Sequence, residues 1–260
     1  MKYIVSFSGG VGSALSAFIV AKTYGAENTI ILFADTLIES PDLYEFNKKV
    51  VDKLGCEYVV IADGRTPWEI FRDVKFIGNS RVDPCSRILK RDLIKKWLKD
   101  NFTPEECNIF VGIDCYEEHR LVRVIENNKP YVYRSILIES NIFLDNDDKI
   151  WFCQQNDLPI PILYKIGLPH NNCGGFCVKA GLGQFKKLYE ELPEVYMHHE
   201  NMMEEVMKEN PKLRPFLKKQ VNKQQLYLTL KQYREQYLEK NDKSVEEDSQ
   251  DFGGCGCAID

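Results

Sequence analysis

The sequence contains no apolar run approaching the roughly 20 residues that a bilayer-crossing helix needs. Stretches such as Ala17 to Ala21 and Ile30 to Ala34 end far short of it, so a membrane span is not expected. The opening Met1-Lys2-Tyr3-Ile4-Val5-Ser6 runs straight into a glycine-rich turn, without the apolar region and cleavage site of a signal peptide. An intracellular, cytoplasmic protein is expected. Positive charge is not in excess: 34 Lys and Arg face 39 Asp and Glu, for a formal net charge of −5. That argues against a chain that coats nucleic acid uniformly, while leaving room for a local basic patch. Residues 211–240 carry eight Lys or Arg against two Glu, whereas residues 241–260 carry six Asp or Glu against one Lys, so the two stretches attract each other. Histidine is scarce, with four, and no internal repeat is visible. Cysteine is not scarce. An odd count of nine, in a reducing compartment, points to thiols, metal ligands or catalysts rather than structural disulfides.

What is present is an ordinary globular composition, 260 residues with 44% apolar and 28% charged, enough for one domain of about 200 residues plus an appendage. Apolar, β-branched runs predict strands over 2–7, 29–34, 57–62 and 108–113. Helical spacing predicts helices over 13–24, 43–54 and 88–98, the first two closed by Gly25 and Gly55. Strands alternating with helices indicate a doubly wound, mostly parallel α/β sheet with ligands at the carboxyl ends of its strands. Residues 131–138 are compatible with a strand or an extended loop, and 147–156 with a helix. Residues 184–207 and about 217–238 are expected to be helical, and the polar, acidic residues from 241 onward to form a mobile tail. The chain is thus divided into 1–183, a nucleotide-binding domain; 184–240, a helical C-terminal region; and 241–260, an acidic tail.

The most informative feature is Ser8-Gly9-Gly10-Val11-Gly12-Ser13, between a strand and a helix. Successive N–H groups of a glycine turn, backed by a helix N-terminus and two serine hydroxyls, form a nest for an anion, and phosphate is its natural ligand. No Lys-Ser/Thr pair follows, so this is not a Walker loop, and the third glycine of the dinucleotide fingerprint is missing. The bland reading is a turn that merely packs closely.

Strand-Ser-Gly-Gly-x-x-Ser-helix resembles the PP-loop of the adenine nucleotide alpha-hydrolase superfamily, and later segments resemble its phosphoadenosine phosphosulfate (PAPS) reductase branch. Those segments are Phe33-Ala34-Asp35-Thr36 with Glu39-Ser40-Pro41-Asp42-Leu43-Tyr44-Glu45-Phe46, and Pro84-Cys85-Ser86-Arg87-Ile88-Leu89-Lys90. Two more are Gly112-Ile113-Asp114 with Glu117, His119 and Arg120, and Pro161-Ile162-Leu163-Tyr164 with Gly167 leading to Cys173 and Cys177. Their order along residues 2–180 carries the resemblance. It implies that Ser8, Gly9, Gly10, Gly12 and Ser13 grip the phosphates of ATP or a sulfonucleotide such as PAPS, with adenine near 33–36 and chemistry at the α-phosphate. Many ATP-splitting members carry Asp where this chain has Gly12, which puts the position of Mg²⁺ in doubt. Without a loop lysine, Arg87, Lys90, Arg120 and Arg123 are the candidate phosphate cations. Asp35, Thr36 and Asp114 are candidates for ribose hydroxyls or a metal, although an Asp after a strand also caps turns.

Cys85 follows Pro84 at an expected helix start near Arg81, Arg87 and Lys90, a setting that favours thiolate. With Cys173-Gly174-Gly175-Phe176-Cys177 it makes three candidate ligands for a [4Fe-4S] cluster, for zinc with His170 as a fourth ligand, or for redox thiols. Cys56, Cys107, Cys115 and Cys153 are better explained by packing. PAPS reductases as a family use a mobile C-terminal cysteine nucleophile in Glu-Cys-Gly-Leu-His. Here the tail is Gly253-Gly254-Cys255-Gly256-Cys257, without His, so Cys255 and Cys257 are catalytic candidates beside Arg120 and Asp114. The leading expectation is an enzyme that cleaves ATP at the α-phosphate to activate an acceptor, including a nucleic acid, for cysteine or iron-sulfur dependent sulfur transfer. The alternatives are a sulfonucleotide reductase served by a thioredoxin-like reductant, and a non-catalytic nucleotide and nucleic-acid binding module.

Overall fold

The first five strands are parallel and lie in the order β3-β2-β1-β4-β5. They are β1 (Lys2–Phe7), β2 (Thr29–Asp35), β3 (Glu57–Ala62), β4 (Cys107–Val111) and β5 (Val132–Arg134). The computed structural model describes residues 1–79, 81–171, 173–221, 223–240, 242, 244–245 and 251–252. Crossovers are made by α1 (Val11–Tyr24), α2 (Pro41–Leu54), α3 (Pro67–Val74), α4 (Pro84–Ser86), α5 (Asp92–Asn101) and α6 (Glu118–Asn127). A π-helical stretch, Arg87–Arg91, joins α4 to α5 into one helical rod.

β1 is central, with Ile4 aligned between Ile30 and Ile109. Every residue of β2 but the last is buried, the pattern expected when both faces of a parallel sheet are covered. On one face, Val5, Phe7, Ile31 and Phe33 pack against α1, α2 and a later helix, α8 (Asn146–Gln155). On the other, Ile4, Leu32, Ile109 and Val111 pack against Ile94 and Leu98 of α5 and Val124 of α6. The doubly wound α/β sheet expected from the sequence is therefore present. The winding direction reverses between β1 and β4, and at such a switch point the strand ends part to leave a crevice.

The uncertain stretch after β4 resolves into β5, a short turn of helix α7 (Ile136–Glu139) and α8. A further helical turn, α9 (Ile162–Lys165), precedes the cysteine segment. Beyond it, α10 (Leu182–Glu191) and α11 (Pro193–Glu209) replace the single helix expected over 184–207, because Pro193 lacks an N–H and starts a new helix. The helix expected over 217–238 is corrected more strongly. β6 (Leu217–Val221) and β7 (Gln224–Leu228) form an antiparallel hairpin, and only α12 (Leu230–Tyr233) and the π-helical stretch Arg234–Leu238 are helical. Burial of alternate residues Leu217 and Lys219 matches the strand period, and Lys223 turns the chain with φ +63°. Phe185, Tyr196, Met203, Phe216 and Tyr233 of this region share a core with Trp68 and Phe71 of α3 and with Phe176. No helix among the described residues is long and apolar enough to cross a membrane.

Candidate functional site

The chain leaves β1 at Ser8 and enters α1 through three glycines, two of which have no room for a side chain. A Cβ on Gly9 would sit 2.8 Å from Leu43, and one on Gly12 would sit 2.8 Å from the Gly112 carbonyl oxygen. Gly9 also takes φ +80°, which L side chains rarely adopt. The serines brace the turn: Ser13 Oγ donates to Gly10 O at 2.8 Å and accepts from Ser8 N at 3.2 Å. Val11 N, at the start of α1, donates to the Tyr164 hydroxyl at 3.2 Å. One N–H of the nest is thus already engaged, and by a group with its own proton to pass on.

This loop floors an open cleft of about 270 Å³ at the switch point, between the ends of β1 and β4. Gly112, Asp114 and Glu117 come from the β4 side, Lys149 from α8, and Tyr164, His170 and Asn171 from the segment after it. Asp114 caps the turn that follows β4, its Oδ1 accepting from Tyr116 N at 2.8 Å. Burial, reinforced by Glu117, raises its carboxyl above the usual carboxylate range. Burial lowers the Lys149 ammonium from its ordinary value, against the pull of Asp114 and Glu117. Asp114 and Glu117 are the oxygen donors that the cleft offers to Mg²⁺.

A second cavity lies beside Thr36, just past the end of β2. It is small, about 20 Å³ and room for roughly one water, and its lining includes Cys85, Cys173 and Cys177, three thiols from two distant parts of the chain. None is in a disulfide. Lys90 reaches in from the π-helical stretch, its Nζ 3.8 Å from Cys173 Sγ and 3.5 Å from Glu39 Oε1. Glu39 also accepts from Thr36 Oγ1 at 2.9 Å and from the Cys173 backbone N–H. These bonds pin a turn that Cys173 enters at φ +51° and Gly174 leaves at φ +57°. Phe176 forms the floor and stacks on His199, with ring centres 4.4 Å apart.

Burial, with Asp83 adding to it, pushes the Cys85 thiol up to about 12. Burial thus opposes the thiolate that its helix-start position favours. Three thiols around one chamber, with a buried ammonium beside them, are the donor types of a three-cysteine cluster, but at about 20 Å³ the chamber is smaller than such a cluster. Among the described residues no three His, Cys, Asp or Glu side chains gather closely enough for a single ion, as tetrahedral zinc requires. His170, the expected fourth zinc ligand, lines the nucleotide cleft instead.

Of the expected phosphate cations, none lines the cleft. Lys90 belongs to the thiol chamber, as does Thr36, which was expected near the nucleotide; Arg87 is exposed on the π-helical stretch and Arg123 on α6, and Arg120 pairs with the Glu117 carboxylate. Asp35 holds Leu37 N at 2.8 Å and the Tyr44 hydroxyl at 2.9 Å, in a separate groove lined by Phe33 and Tyr58. Cys255 and Cys257 lie outside the described residues. Lys149, Tyr164 and Asn171 of the cleft and Glu39 of the chamber were not assigned roles from the sequence; Glu39 and Tyr164 lie in segments that resemble the family, whereas no local motif announces Lys149 or Asn171.

A family model described as the phosphoadenosine phosphosulfate reductase domain matches residues 2–170. No curated protein matches. Among solved structures, the chain is similar to U34-tRNA thiolase NcsA from Methanococcus maripaludis with its [4Fe-4S] cluster. The identity is 14%, the TM-score 0.45, and the match covers 80% of this chain and 71% of that one. It is also similar to a predicted subunit of tRNA methyltransferase from Methanocaldococcus jannaschii, at 20% identity and TM-score 0.35, over 53% of this chain and 67% of that one.

Proposed function

Because the chain belongs to the phosphoadenosine phosphosulfate reductase domain family, we propose that it binds an adenine nucleotide in the switch-point cleft and uses it to activate an acceptor for sulfur transfer. One observation carries the reading: residues 169–177 line the nucleotide cleft with Pro169, His170 and Asn171 and the thiol chamber with Cys173, Phe176 and Cys177. Phosphate chemistry and sulfur chemistry therefore share a wall.

In this mechanism the loop amides and the Tyr164 hydroxyl orient the phosphates of ATP, and the acceptor oxygen attacks the α-phosphorus. The bond to the bridging oxygen breaks, and pyrophosphate leaves with that electron pair. Hydrosulfide then adds to the activated carbon and AMP departs with the original acceptor oxygen, so the exchange needs no oxidant. A [4Fe-4S] cluster held by Cys85, Cys173 and Cys177 would supply an iron site free to take up sulfide, and the chamber, about 20 Å³ as it stands, would have to widen to admit it. Lys90 keeps positive charge beside these thiols. The acceptor class that suits this chemistry is a nucleobase carbonyl of a nucleic acid.

Incubation with ATP labelled at the α-phosphate, hydrosulfide and bulk transfer RNA tests the reading. AMP and pyrophosphate should form in step with thiolated RNA, and turnover without sulfur incorporation would defeat it. A second reading, a sulfonucleotide reductase with a tail thiol, is favoured by one contact. Gly183 N, at the start of α10, donates to Asp251 O at 2.8 Å, which anchors the chain four residues before Cys255. Sulfite released from PAPS in the presence of thioredoxin would select it.

A further inference from the structure

The loop brings no charge of its own to an anion. It has neither Lys nor Asp, and the approach of the Gly112 carbonyl leaves no space for a side chain at Gly12. We propose that Lys149 is the cation that receives the nucleotide's phosphates, with Asn171 accepting from a hydroxyl of the same ligand. This assignment rests on the nucleotide reading of the cleft.

Among the described residues lining the cleft, Lys149 is the one Lys or Arg. Its position is built. α8 starts with a reciprocal capping pair, Asp148 N donating to Asp145 Oδ1 at 2.8 Å and Asp145 N to Asp148 Oδ2 at 3.1 Å, which fixes the first turn that carries Lys149. The ammonium lies 5.6 Å from the centre of the Tyr164 ring and donates one hydrogen bond, to Pro169 O at 3.0 Å. An ammonium has three donors. Burial lowers the ammonium from its ordinary value, and a phosphate beside it acts in the opposite direction.

Asn171 supplies an independent sign of a ligand. Its side chain is 2% exposed, and Nδ2 donates to Gly9 O at 3.1 Å, an acceptor that dictates which way the amide faces. Oδ1 is left buried with no partner among the described residues, in the wall of the same cleft. Native proteins rarely leave such an atom unsatisfied. A cation for an anion and a carbonyl oxygen for a hydroxyl, both beside the glycine nest, match a nucleotide rather than inorganic phosphate.

The test is calorimetric titration of the full chain with ATP, PAPS and adenosine, for the wild type and for Lys149→Met and Lys149→Arg. Lys149→Met should weaken binding of the phosphorylated ligand at least tenfold and leave adenosine within about twofold, and Lys149→Arg should recover part of the loss. ATP or PAPS binding by Lys149→Met within threefold of wild type overturns the assignment alone. A wild-type protein that binds neither nucleotide overturns the nucleotide reading as well. A second measurement needs no variant. Acetylation of Lys149 in the native protein, mapped by mass spectrometry, should be suppressed by a bound nucleotide and not by adenosine; labelling unchanged at saturating nucleotide counts against the proposal.

Discussion

Lys90 and Glu39 form an ion pair inside the protein, with side chains 4% and 0% exposed. Such pairs add little net stability, because desolvation consumes most of the attraction, yet losing one partner strands a charge. Here the pair stands against the Cys173 sulfur and backbone, so its placement serves the thiols.

Glu39→Gln is therefore expected to lose about 3–5 kcal/mol in urea unfolding. Removing the stranded charge as well, in Glu39→Gln with Lys90→Met, should recover part of it. A single variant as stable as wild type would show that Lys90 is balanced by something else.

Gly12→Ala places a methyl group where the Gly112 carbonyl oxygen lies 2.8 Å away. A cost of about 1–3 kcal/mol is expected from overpacking, together with weaker ATP binding as β4 is pushed off the loop. Melting temperature and titration read the two effects, and an unchanged protein would mean that the strand ends are looser than their packing implies.

The thiols divide by position. In anaerobically purified protein, Cys85→Ser, Cys173→Ser and Cys177→Ser should each lose iron and the absorbance near ~400 nm. Cys153→Ala, in the core beside α1, should keep both. Iron content independent of all three chamber cysteines would remove the cluster from the reading.

His199 sets a dependence on pH. Its Nδ1 accepts from Trp68 Nε1 at 3.0 Å, and burial, with His198 adding to it, lowers the imidazole to about 3. The unfolded chain binds the proton near pH 6.5 and the folded chain does not. The contribution of neutral His199 is thus complete above about 6.5 and is lost as the pH falls toward 3, at up to ~1.4 kcal/mol per unit. Denaturant unfolding at pH 4.5 and 7 should show a smaller difference for His199→Gln than for wild type; equal differences would place the acid sensitivity elsewhere.

How much of this was legible beforehand depended on how local the cause was. β1 and β3 begin and end where the apolar, β-branched runs over 2–7 and 57–62 do: β1 is central and largely buried, while β3 is an edge strand with no buried residue whose run of Val and Ile still marks it. The glycine loop stood out because its turn and its anion chemistry share one hexapeptide. The hairpin over 217–228 did not, because its turn uses Lys223 at positive φ instead of glycine, and Leu226, Tyr227, Leu230 and Tyr233 imitate a helical stripe. α3 could have been found from Thr66-Pro67 with Glu69, a capping box with proline at the first helical position. The contact of Tyr164 with the loop could not, since 153 residues separate it from the amide it meets. At Cys85 the local setting favours thiolate while burial, which only the assembled fold supplies, pushes the thiol the other way.

Residues 169–171 line one cavity and Cys173, Phe176 and Cys177 the other, and that arrangement has a thermodynamic corollary. Whatever free energy an occupant of the chamber lends to binding in the cleft, the cleft's occupant must return in full. A chamber ligand that tightens nucleotide about tenfold is itself held about tenfold more tightly once nucleotide is bound, and one that loosens it is expelled by the same factor.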